Sequence, residues 1–212
     1  MRLCSNRPEG LGPHSNLHPS LPTTCFIDVI VTPLATWLYL AALLFVLPVL
    51  FLRRNRFSTT PYASDPDHEK ARPARRNVWR IVLRVLYYFF AVALIAMISL
   101  EIARLVDAEL GIGLLPFMYP GIILAAALHA LVCRQGSSKA GSRTLAKSIN
   151  ALYWVLLAVV FAIKVATYVK EGVHSRDGIE PIDRYKVVDE VTDVGVMIFL
   201  AVVLVVLEFV AQ

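Results

Sequence analysis

The last apolar stretch reads Val194-Gly195-Val196-Met197-Ile198-Phe199-Leu200-Ala201-Val202-Val203-Leu204-Val205-Val206-Leu207-Glu208-Phe209-Val210-Ala211. It holds 18 residues and a single charge. At helical rise it spans roughly 27 Å, barely enough for a hydrocarbon core of about 30 Å. An isolated strand there would leave its backbone polar groups unsatisfied in lipid, so the segment reads as a membrane helix.

Four more segments read the same way. They run from about Phe26 to Leu52 (closed by Arg53 and Arg54), Val78 to Leu100, Gly111 to Cys133, and Ile149 to Val169. Only Lys164 interrupts the fourth. The whole chain follows the same pattern, with 212 residues, 57% hydrophobic and 17% charged, and a mean hydropathy of +0.62. A soluble domain carries about 45–50% apolar and about 25% charged residues. The composition therefore excludes soluble globular, disordered and fibrous classes. The expected fold is all-α: a single five-span integral membrane bundle over residues 26–212, preceded by a polar, Pro-rich segment 1–25.

Charge sets the expected orientation, because Lys and Arg favour the cytoplasmic side. Residues 53–77 hold seven Lys/Arg and three acids, and 134–148 hold four and none. On the other side, 1–27 have two and one, 101–112 one and three, and 170–193 four and seven. The N-terminus is expected outside or lumenal and the C-terminus in the cytoplasm. Residues 1–24 carry no apolar h-region, so the first span is expected to act as the targeting signal. The basic loops, together with Arg75, Arg76, Arg80 and Arg84 running into Tyr87 and Tyr88, are expected to favour anionic lipid. Two basic loops at a membrane explain the net charge of +5 without a nucleic-acid partner.

Polar residues within spans are costly and each is a functional candidate. Placed by depth, they fall into two layers. Asp28, Glu101, Arg104 and Lys164 lie toward the outer face; Arg80, Arg84, His129 and Glu208 lie toward the inner one. The simplest reading is interfacial: long side chains snorkel, and Glu101 pairs with Arg104 along its own helix. The sharper reading pairs Lys164 with Asp28 or Glu101, and Glu208 with Arg84 or His129, across helices. Asp28, Glu101, His129 and Glu208 are the candidate acid/base groups.

The third span opens with Gly111, Gly113, Pro116, Pro120 and Gly121 within eleven residues. Pro116 fits the first helical position and Pro120 the following turn, where a missing N–H costs little. Gly111 to Leu115 then forms a tight or partly re-entrant turn at the outer face. Gly121, Ala125 and His129 recur every fourth residue, a small-residue stripe on which another helix packs closely. Ala158, Ala162 and Ala166 form a second one, so spans three and four are expected to meet along these stripes. Lys164 lies nearly opposite the second stripe.

The remaining signals are weaker. Cys133, beside Arg134 at the inner interface, is a candidate for S-acylation. Cys4 and Cys25 would share the oxidising side and could pair. His14 and His18 are too little for a metal site. Residues 181–193 read as a helical extension of the fifth span, with Pro181 at its start. The chain lacks G-x₄-G-K-[ST], H-E-x-x-H, C-x-x-C, G-x-S-x-G and D-D-x-x-D, which argues against nucleotide-driven, zinc-hydrolase, Ser-hydrolase and diphosphate chemistry. No cofactor or metal is implied.

Five spans with this orientation resemble the N-terminal accessory membrane domain that precedes the core of some ABC transporters. The resemblance is one of topology, and the transport core and nucleotide-binding segments have no counterpart here. The run Leu110-Gly111-Ile112-Gly113-Leu114-Leu115-Pro116-Phe117 also looks like small uncharacterised fungal multipass proteins. Together these imply an accessory or transport-related subunit of the plasma or vacuolar/endomembrane system, with a membrane-protein partner or a second copy of itself. A small membrane-embedded enzyme acting on a lipophilic substrate, such as a terpenoid or other secondary metabolite, is the competing expectation.

Overall fold

The computed structural model describes Cys4 and residues 23–56, 74–107, 111–134, 140–169 and 187–210. Within them lie five helices long and apolar enough to cross a membrane. Helix α1, Thr32–Arg56, is preceded by a π-turn, Ile27–Val31, and a single α-turn, Thr24–Phe26. Helix α2 spans Ala74–Asp107. Helix α3, Met118–Arg134, follows a 3₁₀ turn, Leu115–Phe117. Helix α4 spans Ala140–Thr167 and α5 spans Val187–Val210.

The apolar windows sit close to the segments read from sequence: 27–46, 78–107, 115–133, 144–167 and 191–210. Helix α2 continues past the expected end at Leu100, through Glu101 and Arg104 to Asp107, and both of these charged side chains have partners on other helices. Helix α5 begins at Val187, so part of the expected extension is present, while Pro181 and the rest of 181–186 lie outside the described residues. His14, His18, residues 57–73 of the first basic loop and 135–139 of the second also lie outside them. Cys4 and Cys25 are joined as a disulfide.

Helix α4 is the hub of the bundle and packs on α5, α1 and α3; α5 also packs on α2. Its buried face carries Asn150, Tyr153, Trp154, Leu157, Phe161, Lys164 and Thr167. The spacing of three and four residues is that of one helical stripe. The apolar residues of α1 and α2 that face away from the bundle, such as Trp37, Phe45, Trp79 and Phe89, are largely exposed, as a lipid-facing surface requires.

The Ala158, Ala162 and Ala166 stripe does not meet span three. Ala162 and Ala166 are exposed and Ala158 is half-buried. The rotation of α4 is decided by its costliest groups, Lys164 and Asn150, and its largest, Trp154 and Tyr153. Burying these against partners turns the alanines outward. The other stripe behaves as expected: Gly121, Ala125 and His129 are all buried. Gly121 lies under the Tyr153 ring, and a Cβ there would come 2.2 Å from the Tyr153 hydroxyl. Spans three and four therefore do pack together, with an aromatic rather than an alanine on the α4 side.

Two buried polar layers as the candidate functional site

The outer layer begins with the backbone of α1. In the π-turn the Thr32 N–H reaches back five residues to the Ile27 carbonyl. The next donor in that register would belong to Pro33, which has none. The Asp28 carbonyl is instead met from another span: it accepts the Leu114 N–H at 3.2 Å. Leu114 stands in the turn before α3, directly after Gly113, whose φ is +59°. A Cβ on Gly113 would lie 3.1–3.2 Å from Asp28 Cβ, C and O, so glycine serves both the left-handed backbone and the close approach. Gly111 is buried too, whereas Pro116 and Pro120 face outward. The expected turn at Gly111 to Leu115 is thus tight and docked on Asp28.

On this frame Lys164 Nζ donates to Asp28 Oδ1 at 2.5 Å and also to Glu101. Asp28 is 0% exposed and Lys164 1%. The simple interfacial reading therefore fails for both, since neither side chain snorkels. Water cannot solvate them there, and mutual pairing offsets the desolvation. Arg104 is bonded to Asp193 of α5. A cavity of about 20 Å³, lined by Glu101, Arg104, Leu105, Tyr168, Asp193 and Val194, adjoins this end and is large enough for one water molecule.

The inner layer is a connected hydrogen-bond chain through four helices. The Tyr39 hydroxyl of α1 donates to Asn150 Oδ1 of α4 at 2.6 Å. Asn150 Nδ2 donates to the Ala125 carbonyl of α3 at 2.9 Å and reaches Glu208 Oε2 of α5 at 3.5 Å. His129 Nδ1 lies 3.2 Å from both Glu208 oxygens. Its Nε2 lies 3.5 Å from Cys133 Sγ, one turn further along α3. The tautomer that satisfies both contacts has Nδ1–H donating to the carboxylate and Nε2 accepting from the thiol. His129 and Glu208 are each 0% exposed. Tyr87 of α2 stacks on the imidazole at 3.9 Å, and its hydroxyl accepts from Trp154 Nε1 at 3.3 Å.

Of the two partners expected for Glu208, His129 is the one it meets. Arg84 stands on the same inner layer with its Nε buried and unpartnered among the described residues. Arg80 is half-buried. Three contributors escaped the sequence reading. Asn150 lies in a span and could have been counted with the other polar residues. Tyr39 and Tyr153 resemble ordinary apolar bulk in a sequence, and only packing shows where their hydroxyls fall; Tyr87, read with Tyr88 as an aromatic entry to the interface, is instead fully buried against His129.

Among the described residues no cluster of three or more His, Cys, Asp or Glu side chains is arranged to hold a metal ion. Compared with protein-family models, with curated proteins and with solved structures, the chain matches none.

Proposed function

We propose that this chain is a multipass membrane protein that works through a membrane-protein partner, as an accessory or transport-related subunit of the plasma or vacuolar/endomembrane system. The observation that carries the reading is the state of the candidate acid/base groups. Asp28, His129 and Glu208 are sealed from the surface and engaged by groups on other helices. Groups held this way lock five short helices into one arrangement. A partner is then met by the outward apolar surface, where anionic lipid gathers at the basic loops.

We propose further that the N-terminus lies outside and the C-terminus in the cytoplasm. The Lys/Arg bias supports this, and so does the Cys4–Cys25 disulfide, since such bonds persist on the oxidising side of a membrane. Protease protection of tags at the two ends tests it; a protected C-terminal tag on sealed vesicles with their cytoplasmic face outward would overturn it.

A second reading, a small enzyme acting on a lipophilic substrate, is favoured by one feature, the His129–Glu208 dyad. Mild-detergent affinity purification from the native membrane, with mass spectrometry of proteins and small molecules, separates the two. A stoichiometric protein partner supports the accessory role. A single species carrying a lipophilic metabolite replaces it with the enzyme.

A further inference from the structure

We infer that Cys133 is an activated thiol that accepts a long-chain acyl group from an acyl thioester at the membrane surface, with His129 as its base and Glu208 positioning that base. The three side chains stand in series. Cys133 Sγ is 3.5 Å from His129 Nε2, and His129 Nδ1 is 3.2 Å from Glu208. A nucleophile, a base within reach of it and a third group that orients the base form the arrangement by which weak nucleophiles are activated. Asn150 in turn steadies Glu208, and Tyr87 stacked on the ring restricts its rotation.

The rest of the site selects the substrate class. Cys133 is the only free cysteine among the described residues and is only partly buried, whereas His129 and Glu208 are closed off. The electrophile therefore meets the sulfur alone. Cys133 is the last residue of its apolar span, so it lies at the depth of the lipid headgroups. An acyl chain lying in the bilayer presents its thioester carbonyl at that same depth, and Leu131 on the same helix is 53% exposed toward the chains. Arg84 stands on the same layer, with its Nε buried and without a hydrogen-bond partner among the described residues.

The exchange balances without an oxidant or reductant. The Cys133 thiol gives its proton to His129 Nε2, and the sulfur attacks the thioester carbonyl carbon. A new carbon–sulfur bond forms, the bond to the donor's sulfur breaks, and the departing thiolate recovers the proton from His129. The inference is independent of which partner the protein serves.

The test uses the full chain purified into nanodiscs of phosphatidylcholine with phosphatidylserine, which leave both faces accessible whatever the orientation. Palmitoyl-coenzyme A is added at neutral pH and acylation is followed by intact mass. The expected result is one acyl group, removed by hydroxylamine, absent in Cys133→Ala, and formed on the order of 100-fold more slowly in His129→Gln. Glu208→Gln slows the rate per folded molecule, a readout that a purely structural role would leave unmoved. Because the His129 variant could fail to fold, a second comparison places a thiol at similar depth without the base, Leu131→Cys in a Cys133→Ala background. Equal rates at the two thiols, or no adduct at Cys133, would overturn the inference.

Discussion

Lys164 Nζ donates to Asp28 Oδ1 at 2.5 Å across two membrane helices, with both residues closed off from the surface. Glu101 takes a second hydrogen bond from the same ammonium. Replacing Lys164 by Met strands two carboxylates in a low-dielectric interior. Losing one partner of a buried ion pair costs about 3–5 kcal/mol. Thermal unfolding in detergent should show a large fall for Lys164→Met, mostly restored when Asp28→Asn and Glu101→Gln are added. An unchanged midpoint for Lys164→Met alone would mean that the ammonium is solvated.

The His129–Glu208 contact joins α3 to α5 and is expected to behave as a coupled pair. Glu208→Leu leaves the imidazole N–H and the Asn150 amide short of an acceptor, and so should lower stability. Adding His129→Leu should recover part of the loss. A double-mutant cycle should return a coupling of about 0.5–3 kcal/mol. Rescue of Glu208→Leu by a change at Arg84 instead would show that the carboxylate's working partner had been misassigned.

Gly121 tolerates no side chain while Tyr153 stands over it. An added Cβ would be 2.2 Å from the hydroxyl oxygen and 2.9 Å from the ring carbon that bears it. Gly121→Ala should cost about 1–3 kcal/mol, the usual range for overpacking. Tyr153→Phe takes that hydroxyl oxygen out of the contact. Combined with Gly121→Ala it should recover part of the stability, which a melting series of the four proteins measures.

Gly113→Ala is strained for two reasons, its φ of +59° and the Asp28 backbone against it. The conformational part alone is about 1–2 kcal/mol. Hydrogen exchange should quicken at Leu114, whose N–H is held by Asp28, while α5 stays protected. Uniform loss of protection would show that the turn is no separate unit.

The Cys4–Cys25 bond gives a simple count. Of three cysteines, one should take maleimide in denaturant before reduction and all three afterwards. Three reactive thiols before reduction would remove the disulfide, and with it one support for an outside N-terminus.

The two polar layers were legible in the sequence as depths, though not as partners. Counting positions along each span put Asp28, Glu101 and Lys164 at one level and His129 and Glu208 at another, because helical rise is fixed and every span crosses the same slab. It could not give the rotation of each helix about its axis. The alanines at 158, 162 and 166 made an attractive packing face, and α4 turned it outward so that Lys164 and Asn150 could find acceptors. Small-residue packing is worth less than leaving an ammonium and an amide unsatisfied.

What the sequence determined by itself was five helices and the levels of their charges. Lipid permits no other way to satisfy the backbone of uncharged runs this long, so the class follows from composition and length alone. The tertiary structure alone decided that Pro33's missing donor would be answered by docking Leu114 on Asp28. It also brought Tyr39, Asn150, Glu208, His129 and Cys133 into one hydrogen-bonded chain. Those contacts join residues up to 111 positions apart, and no local pattern encodes a meeting set by how the helices rotate and cross.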